Sequence, residues 1–436
     1  MPEALLTTPT GARRRTAGMP QLILLLAGSC LSILGAVLIA PVLPAMTDHF
    51  EGVSGVDVLV PIVLTIPALL IGVMAPFAGL IADAIDRKRV LIAAMIAYAI
   101  VGTAPLYLNS LGLIIGSRAL VGLCEAAIMT CCTTLIADYW DGPQRSRYLG
   151  LQVLVAAVAG TVFLGVGGAL GGAGWRAPFW LYLVALVLAV PMALFIWQPA
   201  RPALSARSAS SVPSALSARR ARPDPSASSA GGGSAKPVGT LPSMPWRELL
   251  TPCLVTVVGG VVFYALIVEL SFVLDDAGVT STAAIGGLSA LASIATATGA
   301  GMFGRLAHRS ARQLLPVTFG LSAVGFAVAA ATDSVVVIML GAVIAGAGTG
   351  LMLPTLLTWA VNRLRFDQRG RGTGLWTGTL FLGEFLAPLL IAGLSAGAGG
   401  LRPALGVLAV VAVAFAVLTV LVVPRSAGPL NVTAEN

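Results

Sequence analysis

Twelve long apolar runs, at about residues 20–43, 58–82, 90–108, 111–137, 148–171, 177–197, 250–274, 283–304, 313–331, 335–361, 373–395 and 403–424, leave this chain few folds to choose from. About 20 apolar residues in a helix cross the ~30 Å of hydrocarbon in a bilayer. No water reaches the backbone there, so each run either closes its hydrogen bonds within itself as a helix or joins a closed barrel. The hydrophobicity is continuous rather than alternating, which argues against a barrel. The expected fold is an all-α membrane protein of twelve transmembrane helices, six before a long polar segment and six after it.

Charge supports the same reading. Charged residues make up 10% of the chain, against about 25% in soluble domains. The net charge of +8 is spread in short basic groups between apolar runs, so membrane topology explains it and no nucleic-acid partner is expected. Arg13, Arg14 and Arg15 precede an apolar run that outlasts a signal-peptide core, and the first span is read as retained. Cys30, Cys124, Cys131, Cys132 and Cys253 all fall in apolar runs and read as small buried hydrophobes without disulfides. His49 and His308 lie far apart at segment ends, so neither a metal site nor a histidine-based hydrolase is expected.

These features divide the chain into an N-terminal six-helix bundle (1–198), a cytoplasmic linker (199–248), a C-terminal six-helix bundle (249–424) and a cytoplasmic tail (425–436). The linker is rich in Ala, Ser, Pro, Gly and Arg and has too few large apolar side chains to offset its ordering entropy, so it reads as flexible. Docking of its arginines on anionic lipid is the alternative. All Lys and Arg except Arg118, Arg176 and Arg402 fall in segments on the side of the N-terminus. By the positive-inside rule, both termini and the linker are therefore cytoplasmic.

The loop after the second run reads Gly79-Leu-Ile-Ala-Asp83-Ala-Ile-Asp86-Arg87-Lys88-Arg89, and Gly304-Arg-Leu-Ala-His308-Arg309-Ser-Ala-Arg312 takes the same place after the eighth. Such internal duplication is expected of secondary transporters. On these residues the chain resembles the major facilitator superfamily, whose loop signature is Gly-x-Leu-Ala-Asp-Arg/Lys-x-Gly-Arg/Lys-Arg/Lys. Gly79, Ala82, Asp83, Arg87 and Lys88 match it; Ala84 and Asp86 depart, and the second copy has His308 and Ala311 in place of the acid and the glycine. Arg118-Ala-Leu-Val-Gly122, Ala137-Asp138 ahead of Arg145, Gly174-Trp175-Arg176-Ala-Pro-Phe179 and Asp367-Gln-Arg369-Gly370 extend the likeness over nearly the whole chain. The resemblance implies two pseudo-symmetric six-helix bundles around a cavity lined by the first, fourth, seventh and tenth helices. It also implies a latch between them, in which Gly79, Asp83, Arg87 and Lys88 belong to the signature loop. Asp83 would meet the N-terminus of the eleventh helix near Gly372–Gly374, and Arg87 would pair with Asp138. The alternative is that these charges only anchor helix ends at the interface, which is the reading for Arg89.

Four ionisable residues fall inside apolar runs: Arg118, Glu125, Glu269 and Glu384. An ionised side chain at mid-bilayer costs about 2.5–3.5 kcal/mol on the lenient insertion scale, so such residues are normally functional or paired. Arg118 and Glu125 are seven residues apart on one helix face, roughly 10 Å along the axis, too far for direct contact. A carboxyl in low dielectric favours its neutral form and can release a proton when its surroundings become wet. Glu125, Glu384 and Glu269 are therefore candidate proton-coupling or substrate-binding groups, together with Arg118; the alternative for Glu125 is a structural hydrogen bond to a neighbouring helix, and for Glu269 that it reaches the outer interface. Asp48 reads as a gate or surface residue. The glycine-rich fifth run, Gly160 to Gly172, is similar to the signature of the family's antiporters, with Leu164 where that signature has proline. Gly346, Gly348, Gly350 and Pro354 in the tenth run provide either a bend or close packing.

No nucleotide-binding P-loop is present. The expectation is a carrier, not an enzyme, that needs no cofactor, is driven by the proton gradient and works by alternating access as a monomer in the lipid of a bacterial inner membrane. Export of a drug-like or metabolic small molecule in exchange for protons is the main reading. A proton symporter importing a small organic anion or other solute, with Arg118 as the anion contact, is the alternative. A membrane enzyme or receptor finds no catalytic set or soluble domain to support it.

Overall fold

The computed structural model describes residues 17–84, 86–198, 245–365, 368–424 and 428–430, without the side chains of residues 76, 78–84 and 146. The linker expected at 199–248 lies outside the described residues up to 244. Among the described residues are twelve helices long and apolar enough to cross a membrane. The first span is built of Met19–Val37 and Leu43–His49, joined through a tight turn at Ala40–Val42. Next come Val56–Ala84, Arg87–Gly102, Leu111–Tyr139, Gly142–Gly171 and a sixth span made of Ala177–Leu183 and Val184–Phe195. The second six are Trp246–Asp276, Thr282–Leu306, Ala311–Ala330, Val335–Val361, Arg369–Ala398 and Leu401–Val422. Their number is even, so the start of the first span and the end of the twelfth lie at one face, called here the terminal face; the other is the far face.

Helix packing repeats between the two sets. The first span packs on the fifth and the seventh on the eleventh; the second packs on the fourth and the eighth on the tenth; the third packs on the sixth and the ninth on the twelfth. Contacts between the sets follow the same exchange, because the second span meets the eleventh and the fifth meets the eighth. A two-fold relation that moves each span to the one six places later maps this pattern onto itself. The duplication heard faintly in the two loops is thus a duplication of the fold.

Small residues permit the seams. A Cβ on Gly168 of the fifth span would stand 2.7 Å from the Gly286 α-carbon of the eighth, so the two backbones touch there. Thr161 and Ser293 share a hydrogen bond of 3.0 Å along the same seam. In the tenth span, Gly346 lies against Ala292 and Thr296 of the eighth span, and Gly348 against Thr318 of the ninth. Close packing is the use the structure makes of these glycines. Asp86, where the signature loop has glycine, caps the third span by accepting the Arg89 N–H at 3.2 Å.

The chain beyond the twelfth span does more than trail into solvent. Leu430 is 5% exposed; its N–H donates to the Arg309 carbonyl at 3.1 Å, and its carbonyl accepts from Asn362 Nδ2 at 3.2 Å. Ser310 and Pro429 form an antiparallel bridge. Residues 428–430 therefore tie the loop between the eighth and ninth spans to the end of the tenth. We expect Leu430→Asp to release this tie and lower the thermal midpoint in detergent by about 2–4 °C per kcal/mol lost, measured by tryptophan fluorescence.

Candidate functional site

The break in the first span organises the middle of the molecule. Pro41 has no N–H to offer the preceding turn, and Leu38, whose N–H reaches the Leu34 carbonyl at 3.0 Å, ends the first helical piece. The carbonyls of Gly35 and Ala36 would draw their helical donors from Ile39 and Ala40, inside the break. Both find partners from other spans. Arg118 Nη2 donates to the Gly35 carbonyl at 2.8 Å, and the Tyr264 hydroxyl donates to the Ala36 carbonyl at 2.6 Å. The second of these bonds crosses from the seventh span to the first.

Arg118 has no exposed surface. Besides the Gly35 carbonyl, it donates from Nε to the Val63 carbonyl at 3.2 Å and from Nη1 to the Tyr182 hydroxyl at 2.5 Å. Its guanidinium thus ties the first, second and sixth spans to the fourth, using a planar fork that lysine lacks. The Arg118 donors are thus turned to protein acceptors.

Glu125, two turns further along the fourth span, also has no exposed surface. Its carboxyl fills the space where a Cβ on Gly35 would stand. Neither carboxyl oxygen meets the geometry of a hydrogen bond, although the Tyr98 side chain stands beside the carboxyl. Arg118 lies within electrostatic range of it, but among the described residues no ion pair joins the two. Tyr98 flanks the same break, donating to the Leu31 carbonyl at 2.7 Å with its ring 5.0 Å from that of Tyr182.

Glu384 is 6% exposed in the eleventh span, where that helix presses on Gly260 of the seventh. Tyr264 lies within electrostatic range of Glu384 and of Glu125, so it stands between a carboxyl of each half. Glu269 is placed elsewhere. It follows Tyr264 by five residues, which turns it about 140° around the helix. There it lines a cavity of about 20 Å³ among the seventh, ninth, tenth and twelfth spans, with Leu266, Phe326, Ile338, Ala342 and Leu405. Glu269 thus stands apart from Glu125 and Glu384.

Sequence reasoning missed Tyr98, Tyr182 and Tyr264. Their signal was present, since a phenol in an otherwise aliphatic span needs a partner for its hydroxyl.

At the terminal face, Arg87 forms an ion pair with Asp138, joining the start of the third span to the end of the fourth. Gly79 lies in the second helix and Lys88 is half-buried. The Asp83 side chain falls outside the described residues. Arg89 is exposed and faces Asp86 at 3.5 Å. At the far face, Asp48 is exposed and lies within electrostatic range of Asp275. Among the described residues no three His, Cys, Asp or Glu side chains converge as a metal site would require.

Comparison with known proteins adds a family. A model described as Major Facilitator Superfamily matches residues 25–280 and 252–435. Tetracycline resistance protein, class C, of Escherichia coli is 32% identical over 174 residues, 38% of this chain and 41% of that protein. Multidrug resistance protein 2 of Bacillus subtilis (strain 168) is 30% identical over 179 residues, 40% of this chain and 43% of that protein. The chain thus spans about two fifths of the length of the curated relatives it matches. Among solved structures, a bacterial homologue of the human lysosomal transporter Spinster, inward-facing and unoccupied, superposes with a TM-score of 0.70 at 19% identity, covering 94% of this chain and 98% of that one. The peptide transporter POT in complex with alafosfalin gives 0.69 at 13% identity, covering 95% and 96%. At these identities the superpositions speak for the fold alone.

For Arg118 the geometry sets a strict expectation. Arg118→Lys leaves at least one of the Gly35, Val63 and Tyr182 acceptors stranded, at about 1–3 kcal/mol per buried group. A clear fall in the detergent melting temperature is expected, with wild-type stability as the contrary result.

Proposed function

The chain belongs to the Major Facilitator Superfamily, and from that premise we propose that it is a membrane transporter, a proton-coupled carrier exporting drug-like or metabolic small molecules in exchange for protons. One observation carries the reading: the Glu125 carboxyl is wholly buried, meets the geometry of no hydrogen bond and abuts the helix break through which the halves are joined. An ionised carboxylate held this way would lack a hydrogen bond, because the donors of the nearby Arg118 are committed to Gly35, Val63 and Tyr182, so the arrangement fits the neutral acid. When the halves rock and water reaches the site, the same group can release its proton. Burial and wetting then alternate with the conformational cycle, which is what coupling requires.

Export is supported by the names of the two relatives, a tetracycline resistance protein and a multidrug resistance protein. Glu384, the buried carboxyl of the other half, is the second proton-coupling group in this scheme. Glu269, turned into its own small cavity, is left out of it. In this scheme Asp83, with Gly79 and Lys88 of the same loop, latches the halves at the terminal face, taken as cytoplasmic, and the Arg87–Asp138 pair, which lies within the first half, holds that loop to the fourth span. Import of an organic anion by symport is the weaker alternative, because the Arg118 guanidinium that would take the anion already donates to three protein acceptors.

The test is transport into inverted membrane vesicles, whose acidified interior should drive uptake of the exported compound. Glu125→Gln is expected to abolish gradient-driven accumulation while one-for-one exchange of substrate persists. Wild-type accumulation with unchanged pH dependence in that variant overturns the proposal. Asp83→Asn is expected to slow turnover with little change in substrate affinity measured by binding; unaltered turnover removes the latch.

A further inference from the structure

The Gly35–Ala36 peptide has three neighbours of different kinds. Its first residue packs against the Glu125 carboxyl at the α-carbon and receives Arg118 at the carbonyl. Its second residue receives the Tyr264 hydroxyl, which comes from the other half of the molecule. Tyr264 is 2% exposed, so its hydroxyl cannot turn to solvent if that bond is lost. The bond lies in the part of the first span that precedes Leu43–His49, toward the far face, and opening the molecule at that face must break it.

On the carrier reading above, we propose that Tyr264 is the positioning residue that makes opening at the far face depend on the protonation of Glu125, through the Gly35–Ala36 peptide. With Glu125 neutral, Arg118 stays on the Gly35 carbonyl, the peptide is held, and the Ala36 carbonyl points at the Tyr264 hydroxyl. With Glu125 ionised, the carboxylate attracts Arg118, which lies within electrostatic range. Loss of Arg118 from the Gly35 carbonyl leaves that carbonyl without a partner at the end of the helical piece Met19–Val37, where Ile39 and Ala40 return no helical hydrogen bond, and loosens the tie to Tyr264. Proton loss thereby favours opening at the far face, the order that export by antiport needs.

The other groups around the pair do not supply a competing route. Tyr98 from the third span faces the Glu125 carboxyl and donates to Leu31, and Tyr182 from the sixth lies in electrostatic range of Glu125 and accepts from Arg118; neither phenol hydrogen-bonds to the seventh span. Cys124 of the fourth span acts electrostatically on Tyr98 and Glu125 on Cys124. From the eleventh span, Glu384 is the titratable group in range of Tyr264, and it offers the acceptor to which the phenol can turn once it leaves Ala36. The first span itself presents Ser29 and Ser32 near the break, neither of which titrates.

A reporter on the seam between the fifth and eighth spans tests the coupling. Ser293→Cys, read by a membrane-impermeant maleimide applied from the far face, measures opening there. With Tyr264 intact, labelling should rise with pH. Tyr264→Phe keeps the ring and deletes the hydrogen bond; it should raise labelling at acid pH by about threefold, as expected for one lost hydrogen bond of ordinary strength, and flatten the pH profile. Glu125→Gln, which leaves the hydroxyl in place and mimics the neutral acid, should hold labelling low at every pH. If Tyr264→Phe labels with the wild-type pH profile, the proposal is overturned, even if its melting temperature falls, because a purely structural bond would behave that way. The carrier reading fails separately, on wild-type proton-driven flux in Glu125→Gln.

Discussion

Main-chain carbonyls at mid-membrane have nowhere to turn except to the protein, and this constraint shapes the centre of the molecule. The first span breaks at Leu38–Val42, around Pro41. Its exposed carbonyls are met by Arg118 and by Tyr264, because leaving them unpaired in hydrocarbon would cost several kcal/mol each. One partner secures the first span within its own half. The other reaches across to the second half.

The seams between the halves are of a different kind. The fifth and eighth spans touch through Gly168 and Gly286, and the second and eleventh through Gly72, whose missing Cβ faces Gly378 and Phe381. Small residues of this sort give van der Waals contact without interlocking side chains, so the surfaces can slide or part. Such interfaces suit the proposed carrier, being strong enough to define a state and shallow enough to leave it. Directional hydrogen bonds between the halves are found at Thr161–Ser293 and at Tyr264–Ala36, the latter beside the Gly35 carbonyl that Arg118 holds.

Different parts of the site were legible to different degrees. Arg118, Glu125, Glu269 and Glu384 stand out in the sequence because charge inside an apolar run is rare and costly. Their company does not. Arg118 and Glu125 share a helix face and still make no ion pair, since three acceptors from three other spans claim the guanidinium first. Glu269 and Tyr264 are near neighbours in sequence and point to different sides of the seventh helix, one into a cavity inside its own half and the other toward the first span. The tail shows the same limit, since nothing in Gly428-Pro429-Leu430 announces that it will bridge two loops.

Hydrophobic length and loop charge, read along the chain, determined that this protein is a twelve-helix membrane protein, and recurrent loop residues identified its duplication. Those properties are local, set by the cost of taking a peptide group or a charge into oil, and so they can be read one segment at a time. Which side chain meets which carbonyl was decided only by tertiary structure. Helix rotation and crossing depend on contacts between residues as distant in sequence as Ala36 and Tyr264, and no single segment carries that information.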